Sequence, residues 1–115
     1  MTSQIEKIAR LMGRDLEKVT DTHPHLGLFF DEGPEFRGWF NPLTNKADLM
    51  DVECALDNIC VTMNFSLVIV EVDTADGSGN CFEAVSKYAD HPDKFTARSA
   101  AVCAVAEQIY DKGQV

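Results

Sequence analysis

Cys60-Val61-Thr62-Met63-Asn64-Phe65-Ser66-Leu67-Val68-Ile69-Val70-Glu71-Val72 alternates in side-chain character with the period of two that marks a β-strand. Met63, Phe65, Leu67 and Ile69 fall on one face. Thr62, Asn64, Ser66, Val68, Val70 and Val72 fall on the other, polar first and apolar afterwards. A strand that becomes apolar on both faces enters a region covered on both sides. The turn-forming run Asp73-Thr74-Ala75-Asp76-Gly77-Ser78-Gly79-Asn80 follows, so residues 81–88 return as the partner strand of a hairpin.

Helical patterns lie on either side of this hairpin. Upstream, Thr44 or Asn45 caps a helix that reaches the neighbourhood of Asn58. Its apolar stripe is Leu49, Val52, Leu56 and Ile59, and Asp48, Asp51 and Asp57 lie on the wet side. Downstream, Asp90-His91-Pro92-Asp93 is a turn, Thr96 caps a last helix, and Gly113 stops it. A first helix starts at Thr2 or Ser3, with Glu6 completing a capping box and Ile5, Ile8, Leu11 and Met12 at helical spacing. Between residues 14 and 34 the pattern dissolves into two turn signals around Leu26-Gly27-Leu28-Phe29-Phe30, which reads equally as strand or packed loop. Residues 36–40 form a short strand stopped by Asn41-Pro42. The order predicts an α+β fold: a single-domain α/β/α sandwich with a small, mainly antiparallel sheet flanked by helices. Residues 1–35 supply the N-terminal helix and an irregular segment, and residues 36–112 the core.

A chain of 115 residues is one domain long, and its 45% apolar and 25% charged shares are those of a globular domain. No apolar run approaches the ~20 residues of a membrane span. The first residues lack the basic region and apolar run of a signal peptide, so a cytoplasmic location is expected. Net charge is −9, and residues 47–86 hold eight acids with no Lys or Arg. Such a field repels phosphate backbones and anionic lipid, which argues against direct nucleic-acid binding and membrane binding. It attracts basic partners instead. Cys54, Cys60, Cys81 and Cys103 form no C-x-x-C pair and sit in apolar contexts, so buried free thiols are expected and a structural zinc is not.

No motif of nucleophilic, phosphate-binding or zinc-dependent catalysis is present, and no catalytic residue, metal or cofactor is expected. His23-x-His25, with Asp21 or Asp31, is the nearest approach to a metal set, but Pro24 places it in a loop. Asp73, Asp76 and Asn80 around Gly77 and Gly79 miss the spacing of a calcium loop. Two binding surfaces stand out. One is acidic: Asp48, Asp51, Asp57, Asp73 and Asp76. The other gathers Arg37, Trp39, Asn41 and Asn45 at a strand-to-helix junction, with Arg98 added from the last helix, as a site for a nucleotide-like ligand. The last helix also carries Ala97, Ala100, Ala101, Ala104 and Ala106, which suit tight docking on the sheet or, alternatively, homo-oligomer formation.

The run Trp39-Phe40-Asn41-Pro42-Leu43-Thr44-Asn45-Lys46-Ala47-Asp48, then helix, hairpin and the helix beginning Thr96-Ala97-Arg98-Ser99-Ala100-Ala101-Val102-Cys103, resembles the phage ABA-sandwich domain group and NinX-like small bacteriophage proteins. The resemblance covers roughly residues 36–112 and implies an α/β/α fold and expression in the cytoplasm of an infected bacterium. It carries no catalytic residue with it. The expected function is therefore that of a non-catalytic phage accessory protein that binds a basic host protein through its acidic surface. A sharper form is a DNA mimic or an inhibitor of host defence, whose binding weakens steeply with salt. The alternative is a protein that binds or sequesters a nucleotide-like small molecule near residues 37–45.

Overall fold

A computed structural model describes residues 3–33, 37–56, 58–73 and 81–113 of the chain. It is an α+β fold of helices and small antiparallel sheets: α1 (Gln4–Leu11), β1 (Val19–His23), β2 (Gly27–Asp31), β3 (Arg37–Phe40), α2 (Lys46–Ala55), β4 (Ile59–Met63), β5 (Leu67–Asp73), β6 (Cys81–Lys87) and α3 (Lys94–Gly113). Short 3-10 turns at Leu16–Lys18 and Tyr88–Asp90 complete the path. The strands divide between two three-stranded antiparallel sheets, β1-β2-β3 and β4-β5-β6, where the sequence pattern predicts one.

Two local choices produce that division. The expected single strand over residues 60–72 is broken at Asn64. Its side-chain Oδ1 accepts from the Ser66 N–H at 2.8 Å and the Leu67 N–H at 2.9 Å, folding the chain back on itself. Because of that turn, Met63 faces inward opposite Val68, while Thr62 shares the outer face with Ile69. The grouping of Met63 with Leu67 and Ile69 is thereby corrected. The second choice lies in the N-terminal segment, where β1 and β2 form a hairpin whose second strand pairs with β3. That segment and the expected core thus share a sheet. Strand β1 is exposed after Val19, which is why its sequence shows no alternation.

Helix ends follow their caps. Ser3 caps α1 by accepting from the Glu6 N–H at 3.2 Å, and its hydroxyl donates to Glu6 Oε1 at 3.2 Å, where the expected capping box would have that carboxylate accept from the Ser3 backbone N–H. Asn45 caps α2 through the Asp48 N–H at 3.1 Å. Helix α3 begins earlier than Thr96: Asp93 accepts from the Thr96 N–H at 2.7 Å and from its hydroxyl at 2.9 Å. These hydrogen bonds hold the Asp93 carboxyl below the ordinary range for an aspartate.

Helix α3 is the central element. It packs on β5 and β6 and also meets α1 and α2, while α1 reaches β2. Ala97, Ala101 and Ala106 are buried with Val102, Cys103 and Val105, so the small residues serve close docking inside the fold. Phe30 and Phe40 are buried edge to face, 6.1 Å apart, each worth about 1.5–3 kcal/mol of burial. The Arg14 guanidinium lies 3.9 Å over the Phe30 ring and pairs with Glu32 at 3.3 Å. Lys7 joins α1 to α3 through Glu107 and Asp111, both at 3.0 Å. No helix among the described residues is long and apolar enough to cross a membrane.

The β1–β2 turn closes against the end of β3. Gly27 has φ +90°, and a Cβ there would run into the Phe40 carbonyl oxygen and the Asn41 side chain. Gly27→Ala should lower stability by about 2 kcal/mol or more, read as a reduced urea midpoint with unchanged slope.

Candidate functional site

Residues 39–48 contain the strand-to-helix junction singled out by the sequence, and Asn41 is its centre. The residue is 4% exposed. Its Nδ2 donates to the His25 carbonyl at 3.0 Å, and its Oδ1 accepts from the Leu43 N–H at 3.0 Å. Its backbone N–H donates to Asp48 Oδ2 at 2.8 Å, and its carbonyl accepts from the Thr44 and Asn45 N–H groups. With each of these groups already bonded within the chain, Asn41 is committed to the scaffold. It is a structural knot joining the β1–β2 turn, the end of β3 and the start of α2.

Trp39 packs on its cross-strand partner Phe29, with ring centres 5.2 Å apart at 74°, and meets the His23 ring at 6.3 Å. Arg37 is exposed and pairs with Asp31, its cross-strand neighbour, at 3.5 Å. Such an exposed pair is worth at most about 1 kcal/mol. Arg98 lies elsewhere. Its Nε and Nη2 both reach Glu53 Oε1 on α2, at 2.8 and 2.7 Å, and its Nη1 lies 3.6 Å from Met63 Sδ. That ion pair accounts for an arginine near the start of α3, where the helix dipole disfavours one. A depression of about 100 Å³ does bring Trp39, Asn41 and Asn45 together with Leu26 and Thr44. Its charged wall is the Asp48 carboxylate, and neither Arg37 nor Arg98 lines it. A site walled by a carboxylate and lacking both arginines is unsuited to a phosphate-bearing ligand.

The acidic set divides as well. Asp48 is half-buried and turned back onto Asn41, so it does not belong to a wet face. Burial raises its carboxyl above the ordinary aspartate value. The Asn41 N–H works against that rise, Asp51 adds to it and Arg14 opposes it. Asp51 and Asp73 are exposed. Asp57 and Asp76 lie outside the described residues, as does the calcium-like run between Asp73 and Cys81. Two further acids, Glu71 and Glu83, face outward directly opposite each other on β5 and β6. Residue-by-residue reading passed over them because only strand pairing brings them together.

The remaining groups offer little chemistry. His23 Nδ1 accepts from the N–H groups of His25 at 3.1 Å and Leu26 at 3.3 Å, which makes it part of the turn. Among the described residues no three His, Cys, Asp or Glu side chains come together as a metal site requires. An open cleft of about 370 Å³ separates α1 from the β1–β2 hairpin, with Glu6, Thr22, His23 and Leu28 on its walls. Glu6 there already serves the helix cap. The cysteines correct the expectation of burial: Cys54, Cys60 and Cys81 are exposed free thiols, and Cys103 alone is buried, which pushes its thiol up to about 12. Cys54 follows the wet side of α2, and the other two stand on an outward sheet face.

No protein-family model, curated protein or solved structure matches this chain.

Removing the knot should be costly. Asn41→Ala strands the His25 carbonyl and the Leu43 N–H, and urea unfolding should show a loss of about 2–3 kcal/mol. Asp48 supplies a second, pH-resolved expectation. Its folded pKa is raised above the ordinary 3.8, so its contribution is greatest when protonated and declines as pH rises through the folded value. Asp48→Asn keeps an acceptor for the Asn41 N–H but cannot ionise. Its stability relative to the parent should therefore rise as pH is raised from below 3.8 through that window, measured by urea melts at several pH values.

Proposed function

We propose that this protein is a non-catalytic binding protein that engages a basic protein surface through exposed carboxylates. The observation that carries the reading is the state of its charges. Arg37 and Arg98, the cations a phosphate ligand would need, are paired with Asp31 and Glu53 of the same chain. Asp51, Glu71, Asp73 and Glu83 are exposed, and none forms an ion pair among the described residues. On a chain of net charge −9, acids without internal cations leave their field to the solvent and to whatever basic surface approaches.

The resemblance to small phage proteins supports placing this activity in an infected bacterium, with a host protein as the partner. Mimicry of DNA is the specific form in which a carboxylate surface displaces a nucleic acid from a basic site. Competition by duplex DNA for the captured partner distinguishes it from other acidic contacts.

Capture from a bacterial lysate at low and high salt tests the reading, with Asp51→Asn/Asp73→Asn in parallel. The expected result is a basic protein retained at low salt, released at high salt and held less well by the double variant. Retention of a nucleotide-like molecule at high salt, lost on Trp39→Ala, is the result that would overturn it.

A further inference from the structure

The β4-β5-β6 sheet has one covered face and one open one. Val68, Val70 and Val72 of β5 turn inward and are buried in the core on which α3 packs. The alternate residues turn outward in cross-strand rows. Thr62, Ile69 and Val85 make one row, and Cys60, Glu71 and Glu83 make the next. Val85 is 49% exposed, and Phe65, in the turn beyond β4, is 94% exposed. Among the described residues no helix or strand packs over this side.

We propose that this outer face is the docking site for a basic amphipathic helix of a partner protein. The inference rests on the binding role proposed above and adds the surface and the chemistry of its occupant. Charge determines that chemistry. Glu71 and Glu83 stand directly opposite each other, an arrangement that costs stability when both are ionised and uncompensated. Asp73 follows along β5 on the same face, and none of the three has a Lys or Arg partner among the described residues. The complementary group is a cation, held roughly 7 Å along the strands from the Ile69–Val85 row, the distance between alternate residues. The apolar row beside it calls for an apolar side chain from the same segment.

Width and symmetry narrow the occupant further. Three strands spaced about 4.8 Å apart present a face about 10 Å across, which is the width of one helix and too narrow for a second sheet of ordinary size. A helix laid there would repeat on the outside what α3 does on the inside. A second copy of this chain fits less well. It brings the same three acids against only Lys87 on this face, together with another net charge of −9.

A synthetic helical peptide with leucine on one face and lysine on the other is the probe, titrated by fluorescence anisotropy against the whole protein. Glu71→Gln/Glu83→Gln and Val85→Ser should each weaken binding about ten-fold, with circular dichroism showing the fold retained. Glu17→Gln/Asp90→Asn, which removes the same charge at exposed positions away from the proposed binding carboxylates, should leave binding within about two-fold. Replacing the peptide leucines by serine should weaken it as Val85→Ser does. If the probe binds in a salt-sensitive way but face and control variants bind alike, this face is not the site and the acidic binding role stands. If the probe does not bind at all, both fall. Equal binding by the lysine–serine peptide, or sedimentation as a dimer that Val85→Lys dissociates, would also overturn the proposal.

Discussion

The hydrogen bond from the Asn41 backbone N–H to Asp48, with the contacts around it, is the constraint on which the rest of this fold turns. Asn41 sits between Phe40 and Pro42 in a buried stretch, where an unpaired amide costs far more than in water. Its backbone N–H, carbonyl and side-chain amide each find a partner, in the β1–β2 turn, in the segment leading to α2 and in α2 itself. The β1–β2 turn is held through the His25 carbonyl, β3 ends where its amide turns to Asp48, and α2 starts from the N–H groups of Thr44 and Asn45. Once α2 is aimed, Leu49 and Val52 enter the core and Glu53 reaches Arg98 on α3. A residue that looks like a candidate ligand contact is thus the fastening of the scaffold.

The same economy runs through the charges. Lys7, Arg14, Arg37 and Arg98 are each tied to an acid of this chain, and Arg14 also covers Phe30. On the open sheet face, by contrast, alternation delivers Glu71, Asp73 and Glu83 to the outside, and none of them has a Lys or Arg partner among the described residues. Helix α3 occupies the opposite side of that sheet and contacts the other two helices as well. Its alanines are what let one helix serve so many neighbours at close range. The outer face of that sheet is the one that α3 does not reach.

Much of this was legible in advance, and the failures have physical causes. The caps at Ser3 and Asn45, the hairpin that pairs β5 with β6 and the long final helix all follow from short-range signals. Strand β1 was not legible because its side chains after Val19 are exposed, so burial left no pattern on them. By pattern Asn64 is one more polar member of an alternating strand, whereas its side-chain oxygen folds the chain into a turn. Residues such as Asn and Asp commit to a turn or a strand only when their hydrogen-bond partners are in place. The candidate sites fared similarly. The chemistry of Arg98 suits a site with Trp39 and Asn41, but Glu53 holds it away from the depression that they line.

Propensity, capping and composition carry the α+β class, the helix starts, one hairpin, and a negative charge with no clustered cations in residues 47–86. Which carboxylates stand free and which are fastened inward was decided only by the tertiary structure. Asp48 and Asp51 lie three residues apart on one helix with the same intrinsic chemistry, yet one is half-buried against a backbone amide and the other is in solvent. Glu71 and Glu83, twelve positions apart in the chain, became neighbours when two strands paired in one register. Local sequence encodes the conformational preference of each segment. The company a charge keeps depends on which segments meet, and that is settled by the packing of the whole chain.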